Sequence, residues 1–247
     1  MDNVFAINLQ QQRLLLRRLD VVANNIANLS TNGFKSEGVL FDSFVTRPAR
    51  AQDRPNEITF ARDVTSYTNF AQGALTPTGG ALDVAFDGDG FFVVEGPNGP
   101  LYTRDGSFQL NEEGALVDRQ GRSVLDAGGG RIVLPNVGLA PQIDRDGQIT
   151  IDGGIVGALG RVNFAAPEVL QRVGDNLYAA PDDAAQIAPT GQIRQGFREN
   201  ANVQGILEIT SLINIQRSYE SAARAADSAN DLRQGAIQRL GRVSQAG

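Results

Sequence analysis

A chain of 247 residues, 41% of them hydrophobic, is long enough for one or two domains with a sizeable core and fits an ordinary soluble protein. Its net charge of −6 argues against a nucleic-acid partner, whose phosphates need a field of Lys and Arg, and against docking on anionic lipid. Cysteine and histidine are both absent. That excludes a Cys nucleophile, a His general base, disulfides and Cys/His zinc sites, and lysine chemistry would rest on Lys35 alone.

Residues 1–47 contain no proline, and Leu15, Leu19, Val22, Ile26 and Leu29 step by 4, 3, 4 and 3, the spacing of one apolar helix face. With Asp2 as N-cap and Thr31-Asn32-Gly33 as a stop, the pattern predicts a helix over about residues 3–30. Gln10–Arg13 and Arg17–Arg18 interrupt the apolar run, so neither a cleaved secretory signal nor a membrane span of ~20 apolar residues is expected.

The middle of the chain has another rhythm. Residues 73–160 carry 19 of the 28 glycines. Turn signals recur every 6 to 10 residues, at Asp87-Gly88-Asp89-Gly90, Pro97-Asn98-Gly99, Asp105-Gly106, Glu113-Gly114 and Gln120-Gly121, then at Asp146-Gly147 and Asp152-Gly153. The runs between them, such as Leu82–Phe86, Phe91–Glu95, Leu101–Thr103 and Ile149–Ile151, read as short antiparallel strands joined by tight turns. Residues 48–72 and 161–203 are expected to carry strands or extended stretches that lead into and out of this region.

Residues 206–234 hold neither Gly nor Pro. Leu212, Ile215, Tyr219, Ala222, Ala226, Ala229, Arg233, Ala236, Leu240 and Val243 repeat at 3 and 4, and only Arg233 breaks the apolar stripe. A helix over 206–243 would be roughly 57 Å long, and so sustained a repeat points to packing against other helices. The predicted fold is α+β: a mainly-β middle domain of short antiparallel strands, flanked by long N- and C-terminal amphipathic helices that pack together. Its parts are an assembly helix (1–35), an extended linker or β region (36–72), a Gly-rich β domain (73–160), a return β or linker region (161–203) and a second assembly helix (204–247).

Several local patterns imitate chemistry. Asp87-Gly88-Asp89-Gly90 has calcium-type oxygens but reads better as a hairpin turn. Aligning Gly147 with the glycine of an EF-hand loop puts Gln142 and Gly153 where the acidic ends belong, so that reading fails. Gly88 and Gly90 lack the third glycine and the helix of a dinucleotide loop, and Glu112 and Glu113 sit in a predicted turn. No catalytic, cofactor-binding or metal-binding residue is assigned, no cofactor is expected, and the chain is not read as an enzyme.

Four segments carry a family resemblance: ANNIANLSTNGFK at 23–35, GALTPTGGALDVAFDGDGFFVV at 73–94, YTRDGSFQLNEEGALVD at 102–118 and ANVQGILEITSLINIQRSYE at 201–220. Together they cover 72 residues in family order, and the chain resembles the flagellar rod and hook protein family. The opening Met1-Asp2-Asn3 and the compact 36–72 stretch look more like the proximal-rod branch than the distal-rod or hook branches. The matching motif positions are Ala23, Asn24, Asn25, Asn28, Gly33, Phe34, Asp83, Gly90, Phe91, Phe92, Asn202 and Val203. Ala201 stands where the family usually has Ser, which leaves Asn200 or Asn202 to cap the last helix.

The resemblance implies a structural subunit of the periplasmic part of the flagellar basal body. It would be exported by the flagellar type III apparatus without a cleaved signal, and would assemble with copies of itself and with other rod proteins. No nucleic acid and no small-molecule substrate is implied. The assembly interface would be Leu15, Leu19, Val22, Ile26, Leu29, Leu212, Ile215, Tyr219, Ala222, Ala226, Ala229 and Leu240. On this reading the terminal helices order only on assembly, because a lone amphipathic helix leaves its stripe in water. Two other classes remain: an extracellular adhesin, expected to have ordered termini, and a polysaccharide hydrolase on a β scaffold, which needs two carboxylates converging in a cleft.

Overall fold

The computed structural model describes residues 2–46, 58–135 and 138–243. Helix α1 (Asp2–Ala27) comes first and helix α2 (Gly205–Val243) last, with short strands between them. The chain divides into two compact units. A helical unit comprises Met1–Ile26, Glu37–Tyr67 and Gln204–Gly247; a β unit comprises Ala27–Ser36 and Thr68–Val203.

In the helical unit the two helices run antiparallel. Asn25 meets Glu208 near one end, whereas Gln11 shares a cleft with Ser218, Ala222 and Ala225. Leu15, Val22, Ile215 and Ala222 are buried together, with Leu19, Ile26, Leu212 and Tyr219 packed against them. The apolar stripes that the spacing picks out therefore meet within one chain. The strands Glu37–Thr46 and Ile58–Thr68 pair as a two-stranded ribbon in the same unit.

α1 stops at Ala27, three residues before the expected end, and Asn28–Ser30 form a turn. The reason is local. The Asn28 carbonyl accepts the Thr31 N–H at 3.0 Å and its side chain accepts the Thr31 hydroxyl at 3.1 Å, so short polar groups outcompete another helical turn. Leu29 thus leaves the helix and belongs, half-buried, to the β unit. α2 has 39 residues and a length of about 58 Å.

The β unit centres on a six-stranded antiparallel sheet in the order Gln171–Gly174, Leu177–Ala179, Gly99–Thr103, Phe91–Gly96, Arg161–Phe164, Gln186–Ile187. Phe91–Gly96 is covered on both faces, which explains its unbroken apolar run where a half-exposed strand would alternate. Phe92 and Val94 point to a core of Val84, Phe86, Leu116, Val124, Ile149 and Ile193. Phe91 and Val93 point the other way, to Tyr102, Leu125, Phe164, Leu170 and Tyr178.

One turn is used four times, at Asn111, Asp118, Asp126 and Asp144. In each, the side-chain Oδ1 accepts backbone N–H groups two and four residues on, at 2.7 to 3.0 Å. The glycine three residues on (Gly114, Gly121, Gly129, Gly147) has φ between +80° and +86°, where a side chain would be strained. The Asp144 carboxylate that imitates a calcium loop is in fact taken up by its own backbone. Asp144→Ala removes the acceptor of two N–H groups and is expected to cost about 1–2 kcal/mol in urea unfolding. Asp144→Asn, which keeps the oxygen, is expected to cost less than half as much.

Candidate functional site

The most unusual chemistry in the β unit is a buried ion cluster. Lys35 and Glu199 both have fully buried side chains, and Lys35 Nζ donates to Glu199 Oε1 at 2.6 Å and to the Ala71 carbonyl at 2.8 Å. The same carboxylate oxygen accepts the Gly73 N–H at 2.8 Å, and its Oε2 accepts from Arg104 at 3.4 Å. Arg104 also donates to the Gly88 carbonyl at 2.9 Å and lies 5.5 and 5.2 Å from the ring centres of Phe86 and Phe91. Burial pulls the Lys35 amine below its ordinary value, against the attraction of Glu199, and it lowers the Arg104 guanidinium as well.

Main-chain contacts tighten the same place. The Gly33 N–H donates to the Glu199 carbonyl at 2.7 Å. Gly33 has φ +66°, and a Cβ there would stand 2.5 to 2.9 Å from the backbone of Arg104 and Asp105, so both conformation and space require glycine. Phe34 is buried beneath the Arg172 guanidinium, 4.6 Å from its ring centre. The Asn202 amide donates to the Asn69 and Ala71 carbonyls and accepts the Ser36 N–H at 2.7 Å. Neither expected cap residue therefore turns its side chain to α2: Asn202 laces residues 36, 69 and 71, and Asn200 donates to Thr76. The reason is competition, since backbone groups of residues 36, 69 and 71 take up the same amide.

The other motif positions divide by unit. Asp83 is ion-paired with Arg198 at 2.9 Å and accepts the Thr78 hydroxyl at 2.6 Å. Buried Gly90 precedes the central strand, Phe91 and Phe92 form its buried start, and Val203 is half-buried at the end of the β unit. In the helical unit, buried Asn25 holds both backbone groups of Glu37, donating and accepting at 2.9 Å, and also donates to the Glu208 side chain at 3.1 Å. Ala23 and Asn24 are exposed on α1.

Of the expected assembly residues, Leu15, Leu19, Val22, Ile26, Leu212, Ile215, Tyr219 and Ala222 come together in the helix seam. Ala226 is half-buried next along the stripe, and the side chains of Ala229 and Leu240 lie outside the described residues. Sequence spacing marks neither the pairing of Lys35 with Glu199 and Arg104 nor the exposure of Ile206, Leu207, Ile209 and Ile213 on α2. The one available signal was that Lys35 is the only lysine in the chain.

Comparison with known proteins decides the family. A model described as "Flagella basal body rod protein" matches residues 6–35, "Flagellar hook protein FlgE/F/G D1 domain" matches 85–151, and "Flagellar basal body rod FlgEFG protein C-terminal" matches 194–239. The chain is 42% identical to the flagellar basal-body rod protein FlgF of Caulobacter vibrioides, over 99% of this chain and all of that protein. The chain belongs to the flagellar basal-body rod protein family. It is also 36% identical to FlgF of Mesorhizobium japonicum, over 90% of this chain and 91% of that one. FlgG of Bacillus subtilis is 32% identical, over 88% of this chain and 91% of the relative.

In this rod-family chain Lys35, Arg104 and Glu199 each lie inside a segment matched by one of the three models. Glu199→Ala leaves Lys35 and Arg104 buried without their anion and is expected to cost about 3–5 kcal/mol in urea unfolding. Lys35→Met combined with Glu199→Gln should recover much of that loss; a cost below about 1 kcal/mol for Glu199→Ala would contradict the assignment. Half-buried Asp105 gives a pH test. Its carboxyl is raised above its ordinary value, chiefly by burial, against hydrogen bonds from Ser107. The folded chain therefore keeps a proton there that the unfolded chain has released, and this contribution to stability is present below the unfolded pKa and lost as pH rises through the folded one. Asp105→Asn should gain stability relative to the parent between pH 3 and pH 7, measured as the difference in urea midpoints.

Proposed function

We propose that this chain is a structural subunit of the flagellar basal-body rod, placed in its proximal part, and that it joins the rod through its terminal helices. The observation that carries this reading is the end-to-end likeness to FlgF, which spans 99% of this chain and all of the relative. The match to FlgG covers 88% of this chain, so the proximal position is favoured over the distal one. The reading has the protein held in the periplasmic rod after export by the flagellar apparatus without a cleaved signal. Copies of itself, other rod proteins and the export apparatus are its partners. A chain without cysteine suits that route, since no disulfide could hold it folded on the way.

The division of labour follows from the two units. The helical unit supplies long apolar-striped elements that can continue a tube of helices, and burial of each large side chain there is worth roughly 1.5–3 kcal/mol before ordering costs. The Gly-rich β unit, closed by its own core and ion cluster, would make the lateral contacts. Residues 1–35 and 204–247 are the assembly segments on this reading, and the motif asparagines fix register between backbone segments.

Electron microscopy of basal bodies from cells lacking the gene, beside a swimming assay, tests the assignment. Non-motile cells whose basal bodies stop short of a hook are expected. A complete rod lacking only its hook would move the protein to the hook branch, and normal flagella with normal swimming would refute the reading. Ile215→Asp, which puts a charge into the helix seam, is expected to abolish swimming while leaving the urea unfolding of the β unit unchanged.

A further inference from the structure

Asparagine is followed by glycine at two places in the chain, Asn32-Gly33 and Asn98-Gly99. This is the most labile of asparagine linkages. A glycine nitrogen, with no side chain beside it, can attack the carboxamide carbon of the residue before. The attack needs an untethered carboxamide, an untethered glycine N–H and a backbone free to turn. At Asn32 all three are taken. Its Nδ2 donates to Ser107 Oγ at 3.0 Å, its carbonyl accepts from Asn176 at 2.9 Å, and the Gly33 N–H donates to the Glu199 carbonyl at 2.7 Å. Gly33 is buried against the backbone of Arg104 and Asp105, which leaves the peptide no room to rotate.

Asn98 is placed differently. It is exposed in the turn Pro97-Asn98, between the strands Phe91–Gly96 and Gly99–Thr103, and its side chain makes no hydrogen bond among the described residues. Nothing stands within 4 Å of the place a Cβ on Gly99 would take. Gly99 faces Gly96 in the last pair of the hairpin, where fraying costs little. We propose that Asn98 is a site of spontaneous deamidation in the folded chain, and that the fold silences the same dipeptide at Asn32. The Gly99 nitrogen bonds to Asn98 Cγ, and its proton leaves with the side-chain NH2 as ammonia, closing a five-membered succinimide. Water then opens the ring at either carbonyl and leaves aspartate or isoaspartate. The new carboxylate enters a cleft of about 690 Å³ already lined by Asp175 and Asp182.

The two sites differ in consequence as well. Asn98 belongs to neither core of the β unit, so its conversion leaves the fold standing. Isoaspartate at position 32 lengthens the main chain by one carbon beside Gly33, where even a Cβ would stand 2.5 to 2.9 Å from the backbone of Arg104 and Asp105. The Gly33–Glu199 bond cannot then form with Lys35 in its place beside the Glu199 carboxylate. A chain that converts at Asn32 before it folds is shut out of the ion cluster. Asn32 therefore records time spent unfolded, and Asn98 records time since synthesis.

The purified full-length protein is incubated at mildly alkaline pH, one sample folded and one in guanidinium chloride. Both dipeptides are then scored by peptide mass spectrometry, with isoaspartate distinguished by fragmentation. In the folded sample Asn98 is expected to convert about tenfold faster than Asn32 or more, and in denaturant the two rates should agree within about threefold. Asn98→Gln should lose the fast product of the folded sample. On refolding of the denatured sample, isoaspartate at 98 should pass into the folded fraction undiminished, and isoaspartate at 32 should be left behind. Folded Asn98 as slow as Asn32 would overturn the proposal. So would an Asn32 that stays slow in denaturant, because its protection would then lie in the local sequence and not in the fold. Chains with isoaspartate at 32 that refold as fully as the parent would contradict the claim that Gly33 has no room to move.

Discussion

A carboxylate shut away from water must find its counter-charges nearby, and in the β unit Glu199 imposes that condition on three distant stretches of chain. Its partners come from residues 35, 73 and 104, so none of these segments can settle without the others. The stretches at 33–36, 69–73 and 199–202 also lie beside three of the points at which the chain changes unit. A charge cluster in this position does what a hydrophobic patch would do poorly. It accepts one arrangement of partners and penalises near misses, because any unpaired member is left charged and dry.

The remaining architecture of the β unit is built outward from there. Arg104 joins the cluster to Phe86 and Phe91, which belong to the two cores on opposite sides of the central strand, and so couples the ionic site to both. The four repeated Asn/Asp-x-x-Gly turns let short strands reverse within a few residues and satisfy their own N–H groups as they do so. The result is a β unit closed on its own cores.

What was legible in the sequence was whatever repeats locally. The 3–4 spacing of Leu15, Leu19, Val22 and Ile26 and of Leu212, Ile215, Tyr219 and Ala222 marks the residues that meet in the seam. Gly114, Gly121 and Gly147 fall at the turns that the glycine rhythm marks, and the apolar run from Phe91 is a strand buried on both faces. The end of α1 was misjudged because the Asn28–Thr31 bonds turn the chain before Leu29 can join the stripe. The pairing in the ion cluster was not legible: Lys35 stands out as the only lysine, but it and Glu199 are 164 residues apart and no spacing rule links them. The exposure of Ile206, Ile209 and Ile213 on α2 was hidden for another reason. They share the helix with the stronger inner stripe, and only the placement of α1 shows which stripe is already covered.

The most direct measurement is amide hydrogen exchange of the purified protein at Gly33 and Gly73, whose N–H groups donate to Glu199. If the buried carboxylate organises the β unit, both amides exchange as slowly as those of Leu116 and Leu125 in the core. Exchange at the rate of open loop amides, with the core still protected, would contradict it.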